Sequence, residues 1–280
     1  MNLKNQRTNR ITARFSQLRQ TGEKGLITFI TAGDPDLAAT ANLVLAMEQA
    51  GADLIELGVP FSDPMADGPI IQRASERALR GGTSLERILG LVRQLRTQTE
   101  IPLVLMTYYN PVLQYGLAKF AAEAADVGVD GVIVPDLPPE ESQELRQEVH
   151  RRGLDLIPLV APTSTGERLA RVGQTAPGFI YCVSLTGVTG VRDHVPADIE
   201  DFIKRVRSCC TQPLAIGFGI SNPAQAARLA RLGDAVIVGS AIVRVVEQYS
   251  ADPAKMLAEV ARLVRQLKQA IRGGVENGTL

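Results

Sequence analysis

The sequence predicts an α/β fold, a (β/α)8 TIM barrel with an extra N-terminal helix and an insertion after the second strand. Three observations predict it. Eight short apolar runs alternate with amphipathic stretches, at a spacing of ~25 residues that suits such a barrel. Each run is apolar at consecutive positions rather than at every second one, the pattern of parallel strands covered on both faces. One junction also recurs, helix then glycine then strand: Ala-Gly-Ala-Asp at 50–53, Val-Gly-Val-Asp at 127–130 and Leu-Gly-Asp at 232–234.

Ahead of the first strand, Ile11, Phe15 and Leu18 share one helical stripe, read as a helix covering the barrel floor. Strands are expected at 26–31, 53–57, 103–107, 131–134, 154–160, 179–183, 214–217 and 235–238. Between the first two, the segment 38–49 aligns Leu43, Val44 and Met47. The wide gap after the second strand holds a loop at 58–68, a helix at 69–80 and a second helix from Ser84, with Ile88, Leu91, Val92 and Leu95 on its apolar face. An insertion there lies at the C-terminal face, where barrels build active sites. Further on, Pro223 behind Ser221 and Asn222 marks a helix start, and Gly128, Gly153 and Gly233 mark helix ends. Residues 1–9 and 272–280 are polar or Gly-rich and are expected to fray. No linker divides the chain, so 1–280 reads as a single domain. A doubly wound sheet competes. Its one motif, Gly217-Phe218-Gly219-Ile220-Ser221-Asn222, lacks the third glycine of GxGxxG and comes late.

Composition removes several function classes. Thirty basic residues balance thirty acidic ones, so the basic excess of a nucleic-acid binder is missing. The apolar runs are far short of a transmembrane span, and the N-terminus has no apolar signal region. Three cysteines, Cys182, Cys209 and Cys210, form no CxxC pair and suit a reducing, cytoplasmic compartment. A plastid stroma is the alternative for a plant source, although no transit peptide is visible. The two histidines, His150 and His194, have no HExxH spacing, and no GxSxG elbow occurs. A metal site and a serine hydrolase are therefore not expected. Acid–base chemistry falls to carboxylates, tyrosines or lysines.

Two carboxylates stand out. Glu56 interrupts the apolar run of the second strand. Buried there it would be pushed toward neutral pKa and suited to proton transfer; the plainer reading pairs it with a barrel Lys or Arg. Asp67 and Asp63 lie in the loop 58–68, where an Asp beside Pro or Gly most often caps a turn. That loop also carries Val59, Phe61 and Met65, and reads as a lid or a partner-contacting surface. Glycines follow the sixth, seventh and eighth strands at 185–190, 217–221 and 238–241. With Ser240, they point to phosphate binding on backbone N–H groups. Tyr108 and Tyr109 follow the third strand, where one could line the pocket or both could pack beneath the lid. Asp136 follows the fourth and could brace a neighbouring loop.

Seven segments in order, FITAGDPD (29–36), IELGVPFSDPMADGPIIQ (55–72), LMTYYNPV (105–112), VIVPDLPPEE (132–141), SLTGVTG (184–190), GFGIS (217–221) and VGSAIV (238–243), resemble the tryptophan synthase α subunit family. The resemblance implies retro-aldol cleavage of indole-3-glycerol phosphate to indole and glyceraldehyde 3-phosphate. It makes Glu56 the general acid/base and Asp67 the carboxylate on the indole N–H. Phe29 and Tyr181 match pocket aromatics, Gly190, Gly219, Gly239 and Ser240 the phosphate site, and Thr189 a residue that positions Asp67. Leu185 stands where some members have Arg. The family implies an α2β2 heterotetramer in which indole passes to a β subunit. No cofactor is expected in this chain, and pyridoxal phosphate is expected only in β. The loop 58–68 and the region 108–115 would face that partner. A stand-alone lyase, a non-catalytic activator of β and another phosphosugar barrel are the alternatives.

Overall fold

The computed structural model describes residues 9–183 and 199–276. In chain order the elements are α1 (Arg10–Thr21), β1 (Gly25–Thr31), α2 (Leu37–Gln49), β2 (Leu54–Gly58), α3 (Pro69–Arg80), α4 (Leu85–Leu95), β3 (Leu103–Met106), α5 (Tyr109–Tyr115) and α6 (Leu117–Val127). There follow β4 (Gly131–Ile133), α7 (Gln143–Arg151), β5 (Asp155–Leu156), β6 (Leu159–Val160), α8 (Gly166–Thr175), β7 (Ile180–Val183) and α9 (Ile199–Cys209). The last are β8 (Leu214–Gly217), α10 (Pro223–Ala230), β9 (Ala235–Val238), α11 (Ser240–Tyr249) and α12 (Pro253–Glu276).

All strand pairs are parallel, in the order β5-β4-β3-β2-β1-β9-β8-β7-β6. The sheet runs as a barrel whose fifth strand is split in two. The expected strand at 154–160 becomes β5 and β6 because Pro158 has no N–H to give the ladder. The flanking bonds survive. Ile157 N donates to Val132 O at 2.9 Å, and Tyr181 N donates to Pro158 O at 3.0 Å. This one short run therefore joins both ends of the sheet. α5 is also new relative to the expected elements; Pro111 sits in its first turn, where a missing N–H is harmless.

Two apolar shells follow from the strand pattern. Ile27, Leu54, Val104, Ile133, Phe179, Ala215, Ala235 and Ile237 fill the barrel interior, and Ile11, Phe15 and Leu18 of α1 close it from below. Phe15 meets Phe179 with ring centroids 5.5 Å apart. Alternate strand residues such as Leu26, Ile30, Ile55 and Leu57 pack outward against the helices. The recurring Gly-Asp junction has its reason at this floor. Asp53, Asp130 and Asp234 accept the Leu26, Leu103 and Leu214 amides at 2.6, 2.8 and 2.8 Å. Each carboxylate thus ties its own strand to the preceding one. Basic side chains cover them: Arg14 and Lys268 on Asp53, Arg10 and Arg96 on Asp130, Arg207 on Asp234. The last helix, α12, buries Met256, Val260, Val264, Leu267 and Ile271. It runs on to Glu276, past the position where the tail was expected to begin.

Candidate active site

In β2, Leu54 faces the barrel interior and Ile55 and Leu57 the helices. The period of two puts Glu56 and Gly58 on the inner side. Glu56 is fully buried, and neither carboxylate oxygen has a hydrogen-bond partner among the described residues. Among the described residues no Lys or Arg is paired with it, so they do not support the plainer reading of a barrel ion pair. Burial pushes its pKa to about 8, because an ionised carboxylate loses its hydration there and no described residue offers it a compensating donor.

Glu56 is paired in register with Phe29 of β1. The Phe29 ring leans over Gly58, where a Cβ would lie 2.5 Å from Phe29 Cζ. Gly239 borders the same ring, its Cβ position 3.4 Å away. Across the mouth, Gly217 makes room for Tyr181: a Cβ there would lie 2.7 Å from the ring and 2.9 Å from the hydroxyl oxygen. Burial, then the charges of Glu56 and Asp67, push the Tyr181 hydroxyl well above its usual range. Both carboxylates therefore act on this one ring.

Asp67 is held at the end of the loop that follows β2. The Tyr108 hydroxyl donates to Asp67 Oδ2 at 3.1 Å and itself accepts the Ala66 amide at 2.9 Å. Gln72 of α3 donates to the Asp67 carbonyl at 2.9 Å. Phe61 lies against the Tyr108 ring, centroids 5.2 Å apart. Burial raises Asp67 to about 6, and the Tyr108 hydrogen bond opposes that rise. A cavity of about 20 Å³ is lined by Phe29, Thr31, Gly58, Asp67, Ile71 and Tyr108, among others. A larger cavity of about 230 Å³ lies between α7 and α8 and touches neither carboxylate.

The remaining expected residues are distributed as follows. Gly239 precedes α11 and Ser240 opens it, so free backbone N–H groups point out of the helix start beside Phe29. Gly219, at φ +60°, turns the chain after β8 in a left-handed conformation. Thr189, Gly190 and Leu185 lie outside the described residues. Asp63 is exposed and accepts a hydrogen bond from Ser62 at 2.5 Å, within its own loop. Asp136 does brace its neighbour, accepting the Tyr109 amide at 2.9 and 3.2 Å. Of the two tyrosines that could line the pocket, Tyr108 is the one that meets Asp67. The sequence alone does not assign Gly58 and Gly217 to the rings they seat; their inward strand parity is the signal that marks them. Among the described residues, no group of three or more His, Cys, Asp or Glu could hold a metal. No helix there is long and apolar enough to cross a membrane.

Fold and site together define a (β/α)8-barrel acid–base enzyme with two carboxylates at its mouth and a helix start fit for an anion. The family profile described as Tryptophan synthase alpha chain matches residues 15–272. The tryptophan synthase alpha chain of Citrifermentans bemidjiense is 53% identical over 95% of this chain and 99% of its own length. That of Geobacter sulfurreducens is 52% identical over 94% and 99%. Among solved structures, the alpha subunit from Legionella pneumophila str. Paris superimposes with a TM-score of 0.88 at 39% identity, covering 95% of this chain and 99% of that one. The Pyrococcus furiosus tryptophan synthase complex gives 0.81 at 36%, covering 88% and 98%. The chain belongs to the tryptophan synthase alpha chain family, lyases of tryptophan biosynthesis that work with a β subunit.

Proposed function

We propose that the α reaction of this family, cleavage of indole-3-glycerol phosphate, runs here on Glu56 and Asp67. Cleavage adds a proton at indole C3 and removes one from the adjacent glycerol hydroxyl. The C–C bond then breaks, its electron pair returns to the ring, and the hydroxyl carbon becomes the aldehyde. One group can serve both transfers if it starts protonated. Glu56, at about 8, is mostly a neutral acid near pH 7; it gives the first proton and takes back the second. The ring nitrogen becomes cationic between the two steps. Asp67, at about 6, is mostly ionised at the same pH and stabilises that charge. The observation that carries this reading is a fully buried glutamate with no hydrogen-bond partner among the described residues, beside a second, differently tuned carboxylate.

Phe29 and Tyr181 flank the ring, and the N–H groups at Gly239 and Ser240, with Gly219, receive the phosphate. By resemblance Gly190 completes the phosphate set and Thr189 positions Asp67. We assign no cofactor to this chain and place pyridoxal phosphate in the β subunit of an α2β2 assembly in the cytoplasm. Met65, 86% exposed in the loop after β2, and Leu113, 48% exposed on α5, are apolar groups suited to that contact.

The test is indole release from indole-3-glycerol phosphate by wild type and Glu56→Gln, each with and without β. Slow turnover that β accelerates and the substitution abolishes supports the reading. Fast turnover without β favours a stand-alone lyase. An inert wild type, even with β, favours a non-catalytic activator.

A further inference from the structure

Two helices frame the site, and each begins at one of its halves. α3 starts at Pro69, directly behind Asp67 and Gly68, and α11 starts at Ser240, directly behind Gly239. They pack through Ile71, Ala74 and Val243, and Phe29 joins the same apolar cluster. An ion-pair chain ties them along the outside. Arg73 Nε and Nη2 donate to the two Glu247 oxygens, both at 2.8 Å. Arg77 Nη1 donates to Glu247 Oε1 at 2.8 Å, while its Nε and Nη2 grip Asp34 at 2.8 and 2.9 Å. Asp34, 2% exposed, belongs to the loop after β1. The chain of contacts thus runs from the β1 loop through α3 to α11.

Half-exposed ion pairs add little to stability, but two-pronged arginine contacts fix orientation. At ~1.5 Å rise per residue, the contacts at Arg73, Arg77 and Glu247 lie about 6–12 Å along their helices from the site. They therefore set how the two helix starts face each other. The Arg73 hydrogen bond, with Arg77, lowers Glu247 to about 2, so the clamp stays charged wherever the enzyme works.

We propose that Glu247 is a positioning residue. By clamping α11 to α3 it fixes the separation between Asp67 and the Gly239–Ser240 helix start, so that one substrate reaches both. This rests on the reading above, in which Asp67 takes the ring nitrogen and α11 the phosphate. It has a signature that ordinary structural support lacks. A ligand that occupies only one half does not sense the separation, whereas the joined substrate does.

The experiment compares wild type, Glu247→Gln and Glu247→Asp in the full chain with β. It measures affinity for indole alone, affinity for glycerol 3-phosphate alone, and kcat and KM for indole-3-glycerol phosphate. Glu247→Gln is expected to bind each half within about twofold of wild type and to lose about tenfold or more in kcat/KM on the joined substrate, in line with the cost of small misplacements. Glu247→Asp, which keeps the charge, recovers part of that loss. Two results overturn the clamp alone: wild-type kcat/KM in Glu247→Gln, or loss of both halves by the same factor as the substrate. A wild type that cleaves substrate yet has no affinity for glycerol 3-phosphate overturns the phosphate assignment, and the clamp with it.

Discussion

Tyr108 holds Asp67 through a single hydroxyl: it donates to Asp67 Oδ2 at 3.1 Å and accepts the Ala66 amide at 2.9 Å. One oxygen from the end of β3 therefore fixes both the backbone and the carboxylate of the loop that follows β2. The hydroxyl also favours the ionised form of Asp67 against burial.

Tyr108→Phe removes both bonds and keeps the ring stacked on Phe61. The Asp67 pKa is expected to rise further, moving the acid limb of the pH–rate profile upward. A loss of about 10–100-fold in kcat/KM is expected near neutral pH, the usual scale for a misplaced charge-stabilising group. Steady-state indole release across pH 5–9 checks it.

Glu56 makes stability depend on pH. Its folded pKa of about 8 lies above the ordinary 4.5, so the neutral form favours folding at low pH. That advantage is lost as pH rises through the folded value. Glu56→Gln has nothing to titrate. Its stability relative to wild type is expected to rise by on the order of 3–4 kcal/mol between about pH 5 and about pH 8. Urea denaturation of both proteins at the two pH values measures this.

Gly58→Ala forces a methyl to within 2.5 Å of Phe29 Cζ. A loss of about 1–3 kcal/mol in stability is expected from the overpacking, with a higher KM as the ring leaves its place over Gly58. Gly90, exposed in α4 with nothing within 4 Å of its Cβ position, is the control. There alanine is expected to stabilise by about 0.5–1 kcal/mol. Thermal melts and substrate titration compare the two.

Leu113→Glu places a charge on the exposed face of α5 without touching either carboxylate. Affinity for β is expected to fall about tenfold or more, as for a charge buried at an interface, while turnover of the chain alone stays at the wild-type level. Titration of β into both proteins, followed by indole release, reads the two effects separately.

The barrel was legible because its signals are local. Consecutive apolar residues mark the buried strands, and the Gly-Asp junctions mark where β2, β4 and β9 begin. Glu56 was legible for a sharper reason. A strand apolar on both faces hides its parity, and one charged residue in it reveals which side is special. Pro158 carries the mark of the split fifth strand in its missing N–H, but both flanking runs are apolar and mask the break. Gly58, Gly217 and Tyr108 could not be placed from spacing alone, because each acts on a ring or a loop from another strand. The Arg73–Glu247 pair spans 174 positions, and no local pattern announces it. Asp136 was read correctly because a turn carboxylate has few other uses.

The central claim is that Glu56 starts the reaction protonated while Asp67 starts ionised. The pH dependence of kcat/KM for indole release by wild type with β tests this most directly, since it reports the groups of the free enzyme. The expected profile is a bell with limbs at about 6 and about 8, set by Asp67 and Glu56. A rate that climbs steadily past pH 8 would contradict it, because Glu56 would then have to act first as a base.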